Sequence, residues 1–203
     1  STVSFDQCDF IDCTMENRQS STSYGHRGAA LFAIDSLISF TGGRVQRCQY
    51  QGATPSCCSI GDAGDSAICI LNSSASFHSL AFDSSDTIYF ENLEDSSEVD
   101  LVDCDFADQY LHFDSTSENA TIDIDSCRFT GQQTYLKFEQ LNDSACMIRQ
   151  SVFSGYGSGR ILYTLDTELL LDGNSFIESS FTGTRPIYAS NSENLPLLVG
   201  NAF

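Results

Sequence analysis

Carboxylates dominate the residues that carry chemistry in this chain. Asp100, Asp103 and Asp105 are followed further along by Asp123 and Asp125, all in short alternating segments. On the outer surface of a sheet, paired carboxylates are the raw material of glycoside hydrolysis, one acting as acid and the other as base or nucleophile. Asp103 and Asp125 nearly align, which would also bring hard oxygen ligands together for Ca2+. Against both stands a solvated acidic face, because no basic residue sits among the aspartates to act as a lyase base; Arg128 is the nearest. We therefore assign no catalytic residue, no metal ligand and no resident cofactor, with Ca2+ the one cofactor kept in view. His26, His78 and His112 are far apart, and no Cys/His spacing matches a zinc site. Gly155-Tyr156-Gly157-Ser158-Gly159 follows a strand-like segment with no helix after it, so it reads as a turn and not as a phosphate loop.

A second group is less uniform. Tyr89, Tyr110, His112, Tyr135, Lys137, Arg160 and Arg185 flank short apolar pairs and are expected to point outward together. Tyrosine and arginine are common anchors of binding surfaces, and stacked tyrosines would support sugar rings. The competing role is structural, since aromatic cross-strand pairs also stabilise a sheet. The absence of tryptophan argues mildly against a dedicated glycan platform.

The setting follows from composition. Nine Lys+Arg against 28 Asp+Glu give a net charge of −19, which repels nucleic acid and anionic membranes. No stretch is long and apolar enough to cross a bilayer. Nine cysteines, a single lysine (Lys137) and sequons at Asn72, Asn119 and Asn142 point to an oxidising, extracellular location, secreted or at the cell surface. The chain starts at Ser1 with no basic-then-apolar leader, as expected of a mature or trimmed form. Asn119 and Asn142 are expected at the same corner of neighbouring coils, with Asn72 at the matching corner two coils earlier.

These residues are positioned by a repeat of the form apolar-x-apolar-x-x-(Cys/Ser/Asn)-x-aromatic. It reads Val3-x-Phe5-x-x-Cys8-x-Phe10, then Gly43-x-Val45-x-x-Cys48-x-Tyr50, Ala75-x-Phe77-x-x-Leu80-x-Phe82 and Val99-x-Leu101-x-x-Cys104-x-Phe106. Ile122-x-Ile124-x-x-Cys127-x-Phe129, Cys146-x-Ile148-x-x-Ser151-x-Phe153, Leu169-x-Leu171-x-x-Asn174-x-Phe176 and Pro196-x-Leu198-x-x-Asn201-x-Phe203 complete it. Between copies runs a shorter pair: Ile88-x-Phe90, Leu111-x-Phe113, Leu136-x-Phe138, Ile161-x-Tyr163 and Pro186-x-Tyr188. Period-two alternation marks half-buried strands, and a coil of such strands buries its inner face only by stacking on its neighbours. The expected fold is one all-β domain over 1–203, a right-handed parallel β-helix of about eight coils, with loop insertions at 11–29 and 51–66. The alternative is a leucine-rich-repeat-like solenoid, disfavoured because the position three before the first apolar residue is polar throughout (Asn72, Ser96, Asn119, Asp143, Asp166, Glu193).

Within the repeat, the Cys/Ser/Asn slot and the aromatic face the same way. Asn174 and Asn201 are expected to satisfy corner backbone groups. Cys8 with Cys48, and Cys104 with Cys127, fall on consecutive coils at a separation that suits either disulfides or stacked thiols. Cys13 is placed to bridge to Cys57 or Cys58 in the second insertion.

Cys8-Asp9-Phe10-Ile11-Asp12-Cys13 followed by Gly28-Ala29-Ala30-Leu31-Phe32-Ala33 resembles the repeats of polymorphic outer-membrane proteins. Gly173-Asn174-Ser175-Phe176 and Gly200-Asn201-Ala202-Phe203 resemble the wider pectin-lyase-like group. The resemblance implies a right-handed β-helix and a role in adhesion. Three functions stay open: a noncatalytic adhesin, coat or filament protein; a polysaccharide lyase or hydrolase; and a glycan-binding module without turnover. The expected partners are further copies stacked end to end or a longer β-helix in cis, because both ends stop on a full repeat without a polar cap, together with glycans or cell-surface proteins.

Overall fold

In the computed structural model, which describes residues 1–17, 28–52, 66–93, 96–114, 119–141, 144–155, 161–177, 187–190 and 196–203, every element is a β-strand. One column of parallel strands comprises β1 (Thr2–Ile11), β4 (Leu37–Gln46), β7 (Ser74–His78), β10 (Glu98–Val102), β13 (Thr121–Asp125), β16 (Ala145–Arg149), β19 (Leu169–Asp172) and β22 (Leu197–Val199). A second contains β8 (Ala81–Asp83), β11 (Asp105–Ala107), β14 (Arg128–Thr130), β17 (Val152–Ser154) and β20 (Ser175–Ile177), and joins the first through the long β4. A separate sheet holds β3 (Gly28–Ile34), β6 (Ser66–Leu71), β9 (Thr87–Glu91), β12 (Tyr110–Asp114), β15 (Tyr135–Glu139), β18 (Leu162–Leu165) and β21 (Ile187–Ala189). Every pairing is parallel, including that of β2 (Thr14–Asn17) with β5 (Gln49–Gly52).

The chain is thus a parallel β-solenoid with three strands per turn. Three strand columns and no helix among the described residues exclude a leucine-rich-repeat horseshoe. About four turns, those opening at β7, β10, β13 and β16, are regular. The expected eight is corrected to that number: the flanking copies pair into the same columns, but their turns run through 18–27, 53–65 and 178–186, outside the described residues. Parts of both expected insertions prove to be strand, namely β2, β5, the start of β3 and the start of β6. Among the described residues no helix is long and apolar enough to cross a membrane.

Two ring stacks fill the interior. Phe82, Phe106, Phe129, Phe153, Phe176 and Phe203 succeed one another at centroid spacings of 4.9, 5.0, 4.8, 4.7 and 4.9 Å, all within 10° of parallel. Phe90, Phe113 and Phe138 form the second, at 4.9 and 4.8 Å. The spacing is that of neighbouring strands, so strand pairing itself holds the rings in contact. Each pair adds about 0.5–1.5 kcal/mol beyond its burial.

The corners explain the polar slot. The residue before it adopts a left-handed conformation (Gln7, Ser79, Asp103, Ser126, Gln150, Gly173 and Gly200, φ between 49° and 63°), which turns the chain between the first two columns. The slot side chain then points inward and serves the rung before it. Asn174 accepts from the Ser151 N–H at 2.9 Å and donates to the Ile148 carbonyl at 2.8 Å. Asn201 does the same for Asn174 and Leu171, at 2.9 and 2.8 Å. Ser151 accepts from Cys127 N–H at 3.1 Å, and the thiols of Cys104 and Cys127 reach the Phe77 and Leu101 carbonyls at 3.4 and 3.3 Å. Asn174 and Asn201 therefore hold the corner backbone as expected.

The cysteines are corrected. Among the described residues Cys8, Cys13, Cys48, Cys69, Cys104, Cys127 and Cys146 are all free. Cys104 and Cys127 stack as thiols. Cys8 does not face Cys48: its rung partner is Gly43, because β1 and β4 pair as Val3 to Ile38, Phe5 to Phe40 and Phe10 to Val45. The second copy of the repeat is therefore Ile38-x-Phe40-x-x-Gly43-x-Val45, and Cys48 lies beyond it, where Gln49 N–H bonds the Cys13 carbonyl at 2.8 Å. Cys57 and Cys58 lie outside the described residues. Burial raises the Cys48 thiol to about 11 and that of Cys146 to about 12, so these act as small apolar fillers.

Two substitutions test this frame. Gly43 has φ +97°, and a Cβ there would land on the Cys8 carbonyl oxygen. Gly43→Ala should cost about 2 kcal/mol or more in urea unfolding; an unchanged midpoint would contradict the β1–β4 register. Asn174→Leu fills the same space but leaves the buried Ser151 N–H without its acceptor and removes the side-chain donor to the Ile148 carbonyl. Its expected cost is about 2–4 kcal/mol, and it should exceed that of the same change at the end-rung Asn201.

Candidate functional site: the outer face of the third sheet

Strand register assembles one outward column: Phe32, Cys69, Tyr89, His112, Lys137, Tyr163 and Tyr188, one per rung. Tyr110 and Tyr135 pair beside it, and Asp114 and Glu139 pair on its other flank. Of the residues expected on this face, Tyr89, Tyr110, His112, Tyr135 and Lys137 are brought together; Arg160 and Arg185 lie outside the described residues.

Tyr163 and Tyr188 correct the sequence reading, which placed them inward. In β18 the inward residues are Leu162 and Thr164, both buried, and in β21 Ile187 and Ala189 take those positions. Ile161, Leu162 and Tyr163 are consecutive apolar residues, so alternation had two phases, and a slip of one residue exchanges the faces. The register with Leu136 and Lys137 settles the phase.

The face is closely packed. Tyr89 and His112 are 5% and 2% exposed although both point away from the core. Their rings lie 4.6 Å apart, and the Tyr89 hydroxyl donates to Asp114 Oδ2 at 3.3 Å. The His112 Nε2–H donates to Glu139 Oε2 at 3.2 Å, and the same oxygen takes the Lys137 ammonium. Burial and the positive charge of Lys137 press the His112 pKa down to about 4 despite Glu139, so the ring is neutral. Burial opposes the charge on Glu139, but the hydrogen bond and charge of Lys137, with His112, outweigh it and lower its pKa. Burial raises the Tyr89 and Tyr110 phenols, with the Asp114 and Glu91 carboxylates adding to it at Tyr89 and Tyr135 and Glu139 at Tyr110.

Ring orientation decides what the tyrosines offer. Tyr163 and Tyr188 stack at 5.6 Å with planes 13° apart, and Tyr110 and Tyr135 meet at 5.1 Å, tilted by 43°. Rings stacked along the solenoid axis spend their π faces on each other and turn edges and hydroxyls outward. A sugar ring needs an open face, so this geometry serves strand pairing first.

The acidic face is engaged in the same way. Arg149, which the sequence reading did not place there, reaches Asp123 at 2.7 Å and Asp125 at 3.1 Å. Arg128 grips Asp105 through two bonds of 2.7 and 2.8 Å. Asp103 occupies the left-handed corner, with its backbone N–H bonded to the Asp125 carbonyl at 3.1 Å. Burial, then Asp123, raises the pKa of Asp100. Among the described residues no three His, Cys, Asp or Glu side chains are grouped to hold a metal ion. The strand offset explains the missed arginine: Arg149 lies one rung beyond the aspartates, beside Asp125 in the β13–β16 pairing.

No protein-family model, curated protein or solved structure matches the chain.

The His112–Glu139–Lys137 cluster makes stability depend on pH. The unfolded chain binds a proton at His112 near pH 6.5 and the folded chain only near 4, so this contribution is complete above pH 6.5 and disappears as pH falls to 4. It amounts to on the order of 3 kcal/mol. Glu139 acts in the same direction at lower pH. Melting temperature measured from pH 7.5 to 4.5 should fall, and His112→Gln, which keeps the donor without the titration, should flatten the curve between pH 6.5 and 4.5. Parallel curves for the two proteins would refute the assignment.

Proposed function

We propose that this chain is a noncatalytic extracellular β-solenoid, a rod segment of an adhesin, coat or filament. The observation that carries the reading is the continuous ring stack from Phe82 to Phe203, which runs the length of the regular turns and ties each rung to the next. A parallel stack whose rungs repeat one register accepts further rungs of the same kind, from the same chain or from another copy. The outer surface supports the same role. Asp105, Asp123, Asp125 and Glu139 are held by Arg128, Arg149 and Lys137, and the outward aromatic rings pack on one another, so side chains of the kind that serve lyases and hydrolases as acids and bases here hold the sheets together. The composition, with sequons and scarce lysine, supports an extracellular setting.

A glycan-binding module is the second reading, favoured by the half-buried Tyr163–Tyr188 pair at the end of the outward column. Its ligand would be uncharged, because Glu139 and Asp114 flank the column and Glu139 already holds the Lys137 charge.

The purified chain incubated with pectate, alginate or chondroitin should release no reducing ends; sustained release overturns the noncatalytic reading. On concentration it should form rods one solenoid wide in electron micrographs, and Leu198→Asp with Phe203→Asp should return it to monomers in light scattering. Monomers of the unaltered chain at every concentration would overturn self-assembly. Binding of a neutral glycan that Tyr163→Ala abolishes would put the second reading first.

A further inference from the structure

The three sequons are not equivalent once folded. Asn119 and Asn72 both sit in left-handed corners before a strand of the first column, with φ of 70° and 47°. Register places them three residues before Ile122 and Ala75, which share one inward column through Val99. The likeness ends there. The Asn72 side-chain Nδ2 donates to Asp35 Oδ1 of the preceding rung at 2.6 Å, and its backbone N–H bonds the Glu91 carbonyl at 3.0 Å. Its sequon hydroxyl is committed as well: Ser74 Oγ accepts from the Glu98 N–H at 3.0 Å. Asn72 is half-buried. Asn119, in contrast, is exposed, its carboxamide has no partner among the described residues, and Thr121 of its sequon is exposed at the first position of β13. Asn142 lies outside the described residues.

We propose that Asn119 is an N-glycosylation site that stays open in the folded solenoid, and that Asn72 is closed by the cross-rung bond to Asp35. The proposal rests on the extracellular reading, since the modification belongs to the secretory route. In the reaction, the Asn119 Nδ2 attacks the anomeric carbon of an oligosaccharide carried on a lipid pyrophosphate. The new C–N bond replaces the sugar–phosphate bond, the lipid pyrophosphate leaves, and the amide proton passes to a carboxylate base of the transferase. Both the Asn amide and the Thr121 hydroxyl must be reachable for this step, which the fold permits at Asn119. At Asn72 the reaction requires the Asp35 bond and the Glu98 bond to open first. A glycan at Asn119 would project from the corner between the third sheet and the first column and leave the outward Tyr89–Tyr188 column uncovered.

The folded chain, treated in vitro with purified oligosaccharyltransferase and lipid-linked oligosaccharide, should acquire sugar at Asn119 and at least ten-fold less at Asn72, read by peptide mass spectrometry after deglycosylation in heavy-oxygen water. Asp35→Ala should raise occupancy at Asn72 without changing Asn119, while circular dichroism shows the fold retained. Equal occupancy at both sites, or an empty Asn119 beside a filled Asn72, overturns the proposal. Expression through a eukaryotic secretory pathway separates the two readings: export of folded protein without sugar at Asn119 sinks the site and leaves the extracellular reading standing, whereas retention of misfolded chain counts against the extracellular reading.

Discussion

Parallel pairing between rungs is the constraint on which the molecule depends. A short three-sided coil has no interior of its own, so each strand finds its hydrogen-bond partners and its apolar neighbours only in the rungs above and below. Identical register then forces like positions into columns about 4.8 Å apart. A side chain suits its place here only if it suits the side chain in the next rung. Phenylalanine on phenylalanine, asparagine on asparagine and thiol on thiol all satisfy that condition, as does arginine beside aspartate on the outside. The same rule converts what looks like a reactive surface into a structural one. Tyr89, His112, Lys137 and Glu139 form one packed, mutually neutralising cluster because consecutive rungs set them side by side.

The interior was legible in the sequence because its columns are chemically uniform. The Phe106, Phe129, Phe153 and Phe176 positions announce themselves by type and spacing, and the slot two residues earlier takes only residues that fit a tight corner. Where the chemistry is not uniform, spacing alone misleads. Gly43 and Val45 stand in the slot and aromatic columns, yet resemble the first apolar pair of a copy centred on Cys48. No local feature distinguishes the two alignments; the nine paired positions of β1 and β4 do. At Ile161-Leu162-Tyr163 the alternation is degenerate, and only cross-rung register selects the face. The pairing of Arg149 with Asp123 and Asp125 was not legible for a related reason: residues adjacent in space are a full turn apart in sequence.

The cysteines show the same limit in another form. Sequence put Cys104 and Cys127 on neighbouring rungs, and they are there, but a column spacing compatible with a disulfide is equally compatible with two buried thiols each bonded to a carbonyl of the rung before. The thiols behave like the serine and asparagines that continue their column, as weak donors to the backbone. Their conserved geometry along the corner comes from that shared task, and cross-linking is not part of it.

The corner ladder also has a direction. The oxygen and the nitrogen of Asn174 both serve Ser151 and Ile148, in the turn laid down before it, and Asn201 serves Asn174 and Leu171 in the same sense. At this corner a turn therefore becomes fully satisfied only when the following one arrives. Such an object assembles naturally from amino to carboxyl end, in the order in which a ribosome or an export channel delivers it. Each emerging segment finishes its predecessor, so the unfinished part is confined to a moving front one turn deep.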